Sequence, residues 1–211
     1  MLKAAVIGCG PRGIEHARAI TAVDGIELAA MVDPSADTLR QATHSLGVPG
    51  YLNIEELLER TRPEIAVLAT QARGRADLTE RVAAFPGIRA IVTEKPMALT
   101  MAEAERMLAV CEDRGILLTV SHQSRFCSGV SAMKAAIDAG ELGTLEFLRG
   151  SCYGNLLRQG IHVLDTMRWL AGGRDILWVM SQGVTTRISS GGMPAAMRGT
   201  GTIFRTPPRC G

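Results

Sequence analysis

Near the start of the chain, three glycines have a spacing that can hold a phosphate group. The segment Gly8-Cys9-Gly10-Pro11-Arg12-Gly13 reads G-x-G-x-x-G, follows the apolar run Leu2–Ile7 and precedes a segment with helical apolar spacing. In that setting Gly8 allows a tight turn, Gly10 lets the backbone approach a pyrophosphate, and Gly13 lets the helix pack close to the strand. The helix N-terminus would add unpaired N–H groups and the positive end of its dipole. The pattern therefore predicts a dinucleotide-binding loop.

An acidic residue follows at the distance that such a loop requires. Asp33 comes directly after the apolar run Ile26–Val32, about 20 residues beyond the glycines. Its carboxylate can accept both ribose hydroxyls of a dinucleotide and would repel a 2′-phosphate. Because Pro34 comes next, and not an arginine that could pair with that phosphate, we expect NAD rather than NADP. The alternative is a glycine turn with a capping aspartate and no nucleotide.

A lysine stands at the end of a later apolar run. Thr93-Glu94-Lys95-Pro96 follows Ile88–Val92, which places Lys95 at the carboxyl end of a predicted strand, where open α/β sheets bind ligands. From there the amine could reach a substrate hydroxyl or a ribose. A surface lysine ahead of a proline turn is the alternative interpretation.

A histidine and an acid share one stripe of a predicted helix around Gly160–Leu170. Arg158, His162, Asp165 and Trp169 have the spacing i, i+4, i+7, i+11. A histidine with an acid three residues on is a candidate general base. A solvated helix face would show the same pattern.

The elements that must position these residues are predicted from apolar periodicity. Short apolar runs alternate with amphipathic helical segments, which is typical of βαβ units around a doubly wound parallel sheet. The predicted strands are Leu2–Ile7, Ile26–Val32, Ile65–Ala69, Ile88–Val92 and Ile116–Val120. One helix has a complete start and stop, because Thr100 and Glu103 form a capping box and Gly115 ends it.

The regular alternation ends near Val120, and we place a domain boundary within residues 120–125. The two predicted domains are a nucleotide-binding domain over 1–122 and a partial α+β domain with an open mixed sheet over 123–211. In the second domain we expect a helix stopped by Gly140, a helix stopped by Gly172 and Gly173, and strands at Leu145–Leu148 and Ile176–Met180. Residues 189–211 are rich in Gly, Pro, Arg and Ser, with Thr200–Phe204 as a candidate strand. That stretch is either a frayed tail or a sheet cut short.

Composition excludes several classes of protein. The chain has 211 residues, of which 46% are hydrophobic, so we expect a folded protein. The net charge of +2 does not indicate binding to nucleic acid or to an anionic membrane. No apolar run reaches the 18 or so residues of a membrane span. Five scattered cysteines without Cys-x-x-Cys indicate free thiols in a reducing cytosol and no zinc site. We therefore expect a soluble, cytoplasmic protein without a bound metal.

Together these segments resemble the Gfo/Idh/MocA family, named for glucose–fructose oxidoreductase and inositol dehydrogenase. The matching segments occur in the family's order: Val6-Ile7-Gly8-Cys9-Gly10 with Gly13, Ala69-Thr70, Glu94-Lys95-Pro96-Met97-Ala98-Leu99-Thr100, His122-Gln123-Ser124-Arg125-Phe126, and Gly160-Ile161-His162-Val163-Leu164-Asp165 with Arg168-Trp169-Leu170. The resemblance implies a Rossmann domain followed by a domain on an open mixed sheet, whose face lines the substrate site and often serves in oligomer contacts. It implies NAD(P)-dependent oxidation or reduction at a carbinol carbon of a sugar, polyol or related compound.

The resemblance also implies roles for individual residues. Lys95 corresponds to the family's active-site lysine, His162 to its general acid/base, and Asp165 to an adjacent polar contact. A cis peptide often precedes the proline of the Glu-Lys-Pro turn. The expected cofactor-binding residues are Gly8, Gly10, Pro11, Arg12, Gly13, Asp33, Thr70, Glu94 and Lys95, and the expected substrate-binding residues are Lys95, Arg125, Arg158 and His162.

The sequence departs from the family pattern in three places. Arg158 stands where many members have Asp, and it would either disfavour a charged His162 or hold a substrate carboxylate. The family's Ala-Thr-Pro-x-x-x-His reads Ala69-Thr70-Gln71-Ala72-Arg73-Gly74-Arg75 here, without the Pro and the His. The chain is also much shorter than family members. These departures leave a second hypothesis open, that of a dinucleotide-binding protein without turnover.

Overall fold

The structure is a computed structural model that describes residues 1–180. The chain divides into two compact units, Met1–Ser121 and a second unit that begins at His122. We refer to them as the N-terminal and the C-terminal unit.

The N-terminal unit is a six-stranded parallel sheet with helices between the strands. Its strands are β1 (Leu2–Ile7), β2 (Ile26–Val32), β3 (Gly50–Tyr51), β4 (Ile65–Leu68), β5 (Ala90–Thr93) and β6 (Leu117–Val120). Its helices are α1 (Pro11–Thr21), α2 (Ala36–Leu46), α3 (Ile54–Thr61), α4 (Arg75–Ala83) and α5 (Met101–Asp113). The strand order is β3-β2-β1-β4-β5-β6. This is the order of a Rossmann fold, in which ligands bind outside the carboxyl ends of the strands where the order reverses, here between β1 and β4.

Two apolar cores bury the sheet on both faces. Alternate residues of β1 point to opposite sides, so that Ala5 and Ile7 join one core and Val6 joins the other. The first core is completed by buried residues of α3, α4 and α5, and the second by buried residues of α1 and α2. The predicted doubly wound α/β sheet is therefore confirmed.

The five predicted strands are confirmed with small shifts, and one strand was missed. β4 ends at Leu68, while β5 and β6 begin at Ala90 and Leu117. The missed strand, β3, has two residues, Gly50 and Tyr51, which are too few to form an apolar run. The predicted capping box is confirmed, because the Thr100 hydroxyl accepts from the Glu103 amide and the Glu103 carboxylate accepts from the Thr100 amide.

In the C-terminal unit, the predicted helices are confirmed. A 3₁₀ turn at Gln123–Phe126 precedes α6 (Ser128–Asp138), and a π-helical turn at Leu156–Gly160 leads into α7 (Ile161–Leu170). Gly140, Gly172 and Gly173 follow these helices with positive φ, in the left-handed conformation that commonly ends a helix.

The strands predicted at Leu145–Leu148 and Ile176–Met180 are wrong. Both segments are irregular in the structure. A strand needs a hydrogen-bonded neighbour to satisfy its backbone N–H and C=O groups, and within residues 122–180 neither segment pairs with another strand. The candidate strand Thr200–Phe204 and the tail at 189–211 lie outside the described residues. Up to residue 180, none of the helices combines the length and apolar character that a membrane span requires.

Candidate functional site

The glycine loop has the geometry that its spacing predicts. Gly8 has φ +100°, a conformation that favours glycine, and its amide donates to the Val32 carbonyl across 2.8 Å. A Cβ on Gly13 would lie 1.9 Å from the Gly8 carbonyl oxygen, so only glycine permits this approach of helix to loop. A Cβ on Gly10 would have no atom within 4 Å. The space above Gly10 is therefore open to a phosphate group.

The other two loop residues lie at the start of α1. Pro11 occupies the first turn of the helix, where its missing N–H leaves no helical hydrogen bond unmade. Arg12 pairs with Glu15 on the surface of the same helix. Both residues are within the segment that borders the open space above Gly10.

Asp33 is held beside the glycine loop by two backbone amides. Its Oδ2 accepts from the Cys9 amide and its Oδ1 from the Ser35 amide, each across 2.9 Å. Each carboxylate oxygen keeps a further lone pair, so both can also accept from a hydroxyl. Since Asp33 follows β2 directly, its carboxylate lies at the same sheet edge as the loop. This arrangement fits the ribose of a dinucleotide.

The Glu-Lys-Pro turn follows β5, and its acid is buried. Glu94 is 7% exposed, and its Oε1 lies 2.9 Å from His16 Nε2 on α1. Burial raises the pKa of Glu94, whereas His16, the Lys95 amide and the Arg12 charge lower it. The lowering effects together exceed the effect of burial, so the pKa lies below its ordinary value. Glu94 is therefore a carboxylate at neutral pH. The sequence did not single out His16, since its partner is 78 residues away.

Lys95 is half-buried beside this carboxylate. Its backbone amide donates to Glu94 Oε2 across 3.2 Å, and the Lys95–Pro96 peptide is cis. The placement of Lys95 at the carboxyl end of β5 agrees with the sequence-based expectation.

Thr70 lies on the other side of the glycine loop. Its Cγ2 would be 3.3 Å from a Cβ on Gly8, and its buried hydroxyl has no hydrogen-bond partner within the described part of the chain. The glycine loop, the Asp33 carboxylate and the buried Thr70 hydroxyl together fit a bound dinucleotide.

A second residue missed by sequence reasoning is Arg75, the first residue of α4. It is 2% exposed, and its guanidinium donates to the carbonyls of Thr70, Glu94 and Pro96. The only sequence signal was that Arg75 occupies the place of the family's histidine.

The C-terminal unit brings together four side chains from the segments that resemble the family: His122, Arg125, His162 and Asp165. Arg125 Nε donates to Asp165 Oδ2 across 2.8 Å, and Nη2 donates to Oδ1. His122 Nδ1 lies 3.7 Å from Asp165 Oδ2, and the rings of His122 and His162 meet edge to face at 6.0 Å. The ion pair raises the pKa of Arg125, chiefly through the hydrogen bond to Asp165. Asp165 thus pairs with Arg125 and lies beside a pair of histidines.

Arg158 does not lie on the predicted helical stripe with His162, Asp165 and Trp169. Residues 156–160 form a π-helical turn, and α7 begins only at Ile161, so the α-helical spacing from Arg158 to His162 is wrong. The Arg158 amide donates to the Asn155 side chain across 2.9 Å, which caps this turn. The side chain of Arg158 is exposed. Within residues 1–180, no cluster of three or more His, Cys, Asp or Glu has the arrangement of a metal site.

Two buried thiols of the N-terminal unit, Cys9 and Cys111, are expected to be unreactive. Burial, and then the Asp33 charge, raises the pKa of Cys9 to about 12, and burial raises the pKa of Cys111. Cys127 and Cys152 are exposed. At neutral pH we expect a thiol reagent to label the two exposed cysteines at least about tenfold faster than the two buried ones, as measured by peptide mass spectrometry. Equal labelling in denaturant is the control, and labelling of Cys9 in the folded protein as fast as that of Cys152 would contradict its burial.

Comparisons with known proteins agree with this architecture. Residues 2–122 match the model of the GFO_IDH_MocA family, described as an oxidoreductase family with an NAD-binding Rossmann fold. The chain is 32% identical over 190 residues to a D-apiose dehydrogenase of Paraburkholderia graminis, covering 81% of this chain and 50% of the relative. It is 26% identical over 184 residues to an inositol 2-dehydrogenase of Salmonella typhimurium, covering 80% of this chain and 54% of the relative.

A solved structure shows the same fold. An oxidoreductase from Agrobacterium radiobacter, in complex with NAD⁺, L-tartaric acid and magnesium, superposes with a TM-score of 0.79 at 24% identity, covering 89% of this chain and 59% of the other. The chain spans about half the length of the curated relatives it matches. By the family match over its N-terminal unit and the glycine loop found there, the chain belongs to the Gfo/Idh/MocA family of oxidoreductases, with an NAD-binding Rossmann fold.

Proposed function

We propose that the protein is an NAD-dependent dehydrogenase that transfers a hydride between nicotinamide and a carbinol or carbonyl carbon of a sugar, polyol or related small molecule. The observation that carries the proposal is the placement of the glycine loop, Asp33 and Lys95. All three follow strands of one parallel sheet at their carboxyl ends, which is the ligand-binding edge of this fold. Relatives named as apiose and inositol dehydrogenases support the substrate class.

The residues of the N-terminal unit would bind and orient the cofactor. The open space above Gly10 and the N-terminus of α1 suit a pyrophosphate, and the Asp33 carboxylate suits the ribose hydroxyls. The bound cofactor supplies the hydride acceptor or donor. Lys95, supported by the buried Glu94 carboxylate, would bind the substrate oxygen through its ammonium group.

The residues of the C-terminal unit would supply proton transfer and further substrate contacts. By the resemblance, His162 takes the hydroxyl proton during oxidation and returns it during reduction. Asp165 holds Arg125 and faces His122, so its proposed part is to fix these side chains around His162. Arg125 and Arg158 remain proposed contacts for the substrate.

Turnover with a panel of sugars and polyols, measured beside an NAD titration of the same chain, tests the proposal. NADH formation with any of these substrates would support it. NAD binding without turnover on the whole panel would favour a dinucleotide-binding protein without catalysis, an alternative motivated by Arg158 at a position where many family members have Asp. A chain that binds no NAD would contradict both.

We also propose that the site prefers NAD to NADP. Charge repulsion from Asp33 and an unpaired 2′-phosphate should cost roughly 1–3 kcal/mol, a preference of about ten- to a hundredfold. Asp33→Asn keeps an oxygen for the Cys9 amide and should reduce the preference for NAD over NADP. Asp37→Asn, at an exposed position on α2, should leave that preference unchanged. Dissociation constants from calorimetry provide the measurement, and similar constants for the two nucleotides in the unaltered chain would overturn the preference.

A further inference from the structure

Arg75 has an unusual environment for a cation. It is the first residue of α4, where the positive end of the helix dipole disfavours a positive charge, and it is 2% exposed. Within residues 1–180, no carboxylate accepts a hydrogen bond from its guanidinium. Burial lowers the pKa of Arg75, and the nearby Glu94 charge opposes this. A guanidinium nonetheless stays protonated in proteins, so a charge is buried here.

The guanidinium connects the ends of two neighbouring strands. Nη2 donates to the Thr70 carbonyl, two residues beyond β4, while Nη1 donates to the Glu94 and Pro96 carbonyls, directly beyond β5. Strands β4 and β5 are paired, with Leu68 opposite Thr93. A planar group with five donors can satisfy carbonyls from two loops at once, which neither a lysine nor a glutamine can do in the same geometry.

The segment held in this way carries Lys95. The backbone carbonyls on both sides of that residue, at Glu94 and Pro96, bind Arg75, whereas the Glu94 side chain binds His16 of α1. The turn is therefore fixed from α4 through its backbone and from α1 through its carboxylate. The Lys95 backbone has little freedom as long as both contacts persist.

We propose that Arg75 is a positioning residue, which holds the Glu94–Met97 turn so that the Lys95 ammonium is presented to the substrate. The importance of this position for catalysis rests on the proposed function, but the positioning itself does not. Removal of the guanidinium would leave four carbonyls, those of Thr70, Glu94, Pro96 and Met97, without this donor and would release the turn from β4. Lys95 would then sample several positions.

The test compares Arg75→Gln and Arg75→Lys with Arg81→Gln, a matched control on the exposed face of α4, where the arginine pairs with Glu55. Amide hydrogen exchange over residues 94–99 should be on the order of tenfold faster in Arg75→Gln and unchanged in Arg81→Gln. Arg75→Lys keeps the charge without the planar fork, so it should also exchange faster than the unaltered chain. Should Arg75→Gln fail to fold, Arg75→Lys supplies the same comparison.

Lysine labelling gives a readout that a purely structural role would not change. The chain has three lysines, Lys3, Lys95 and Lys134, so an amine reagent and mass spectrometry can follow Lys95 against two internal references. We expect the Lys95 rate relative to these references to change by at least about threefold in the Arg75 variants. Where turnover is measurable, kcat should fall while the NAD dissociation constant stays within a few-fold.

Folded Arg75 variants with unchanged exchange at 94–99 and unchanged Lys95 labelling would overturn the proposal. These two measurements need no substrate, so they separate this inference from the proposed function. A chain without turnover would contradict the dehydrogenase activity and leave the positioning result intact.

Discussion

Gly13→Ala is expected to destabilise the N-terminal unit by about 3 kcal/mol or more and to abolish measurable NAD binding. The new Cβ would lie 1.9 Å from the Gly8 carbonyl oxygen and 2.9 Å from the carbonyl carbon. Both contacts involve backbone atoms, which cannot rotate away as the end of a side chain could. Either α1 or the glycine loop must move, and the phosphate-binding geometry is lost with it.

Gly10→Ala separates binding from folding at the same loop. Gly10 has φ −67° and ψ −177°, which alanine adopts without strain, and its Cβ would meet no atom. The unfolding temperature should therefore be unchanged, while NAD binding weakens about tenfold or more because a methyl group occupies the space for the pyrophosphate. Gly129→Ala, at an open position in α6, is the control for adding a methyl group elsewhere. Thermal unfolding and calorimetry check all three, and a Gly13→Ala chain with normal stability and binding would show that the loop geometry is wrong.

His162→Ala is expected to lower kcat by about 10² to 10⁴ in a chain that turns over, with the NAD dissociation constant within a few-fold of the original. In the proposed function, the glycine loop and Asp33 bind the dinucleotide, whereas His162 transfers the hydroxyl proton, so its loss should affect the rate and not cofactor binding. His44→Ala, at an exposed position on α2, is the matched control and should change neither quantity. Steady-state kinetics with the best substrate of the panel is the measurement. An unchanged kcat would mean that His162 is not the general base.

The parts of the site that sequence reasoning predicted are those set by local chemistry. The glycine loop, Asp33 and Lys95 each follow an apolar run directly, so the end of the strand and the functional residue can be read together from a short segment. Their roles depend on backbone conformation and on the shared edge of a parallel sheet. The backbone conformation and the position at the sheet edge both follow from residues that are close in the sequence.

The parts that were missed depend on contacts between distant residues. Arg75 and His16 have no local signal, because their partners at the Glu94 turn lie 19 and 78 residues away and come together only in the folded sheet. The strands predicted at Leu145–Leu148 and Ile176–Met180 failed for a related reason. Apolar character is local, but a strand exists only where another strand can accept its hydrogen bonds.

The most direct test is a calorimetric titration of the full chain with NAD. We expect one NAD bound per chain, with a dissociation constant between about 1 μM and 1 mM, the range in which enzymes commonly hold such ligands. Loss of that signal in Gly13→Ala and its weakening in Gly10→Ala would place the nucleotide on the glycine loop. A folded, unaltered chain that shows no NAD binding at millimolar concentrations would contradict the assignment of this loop as a nucleotide site.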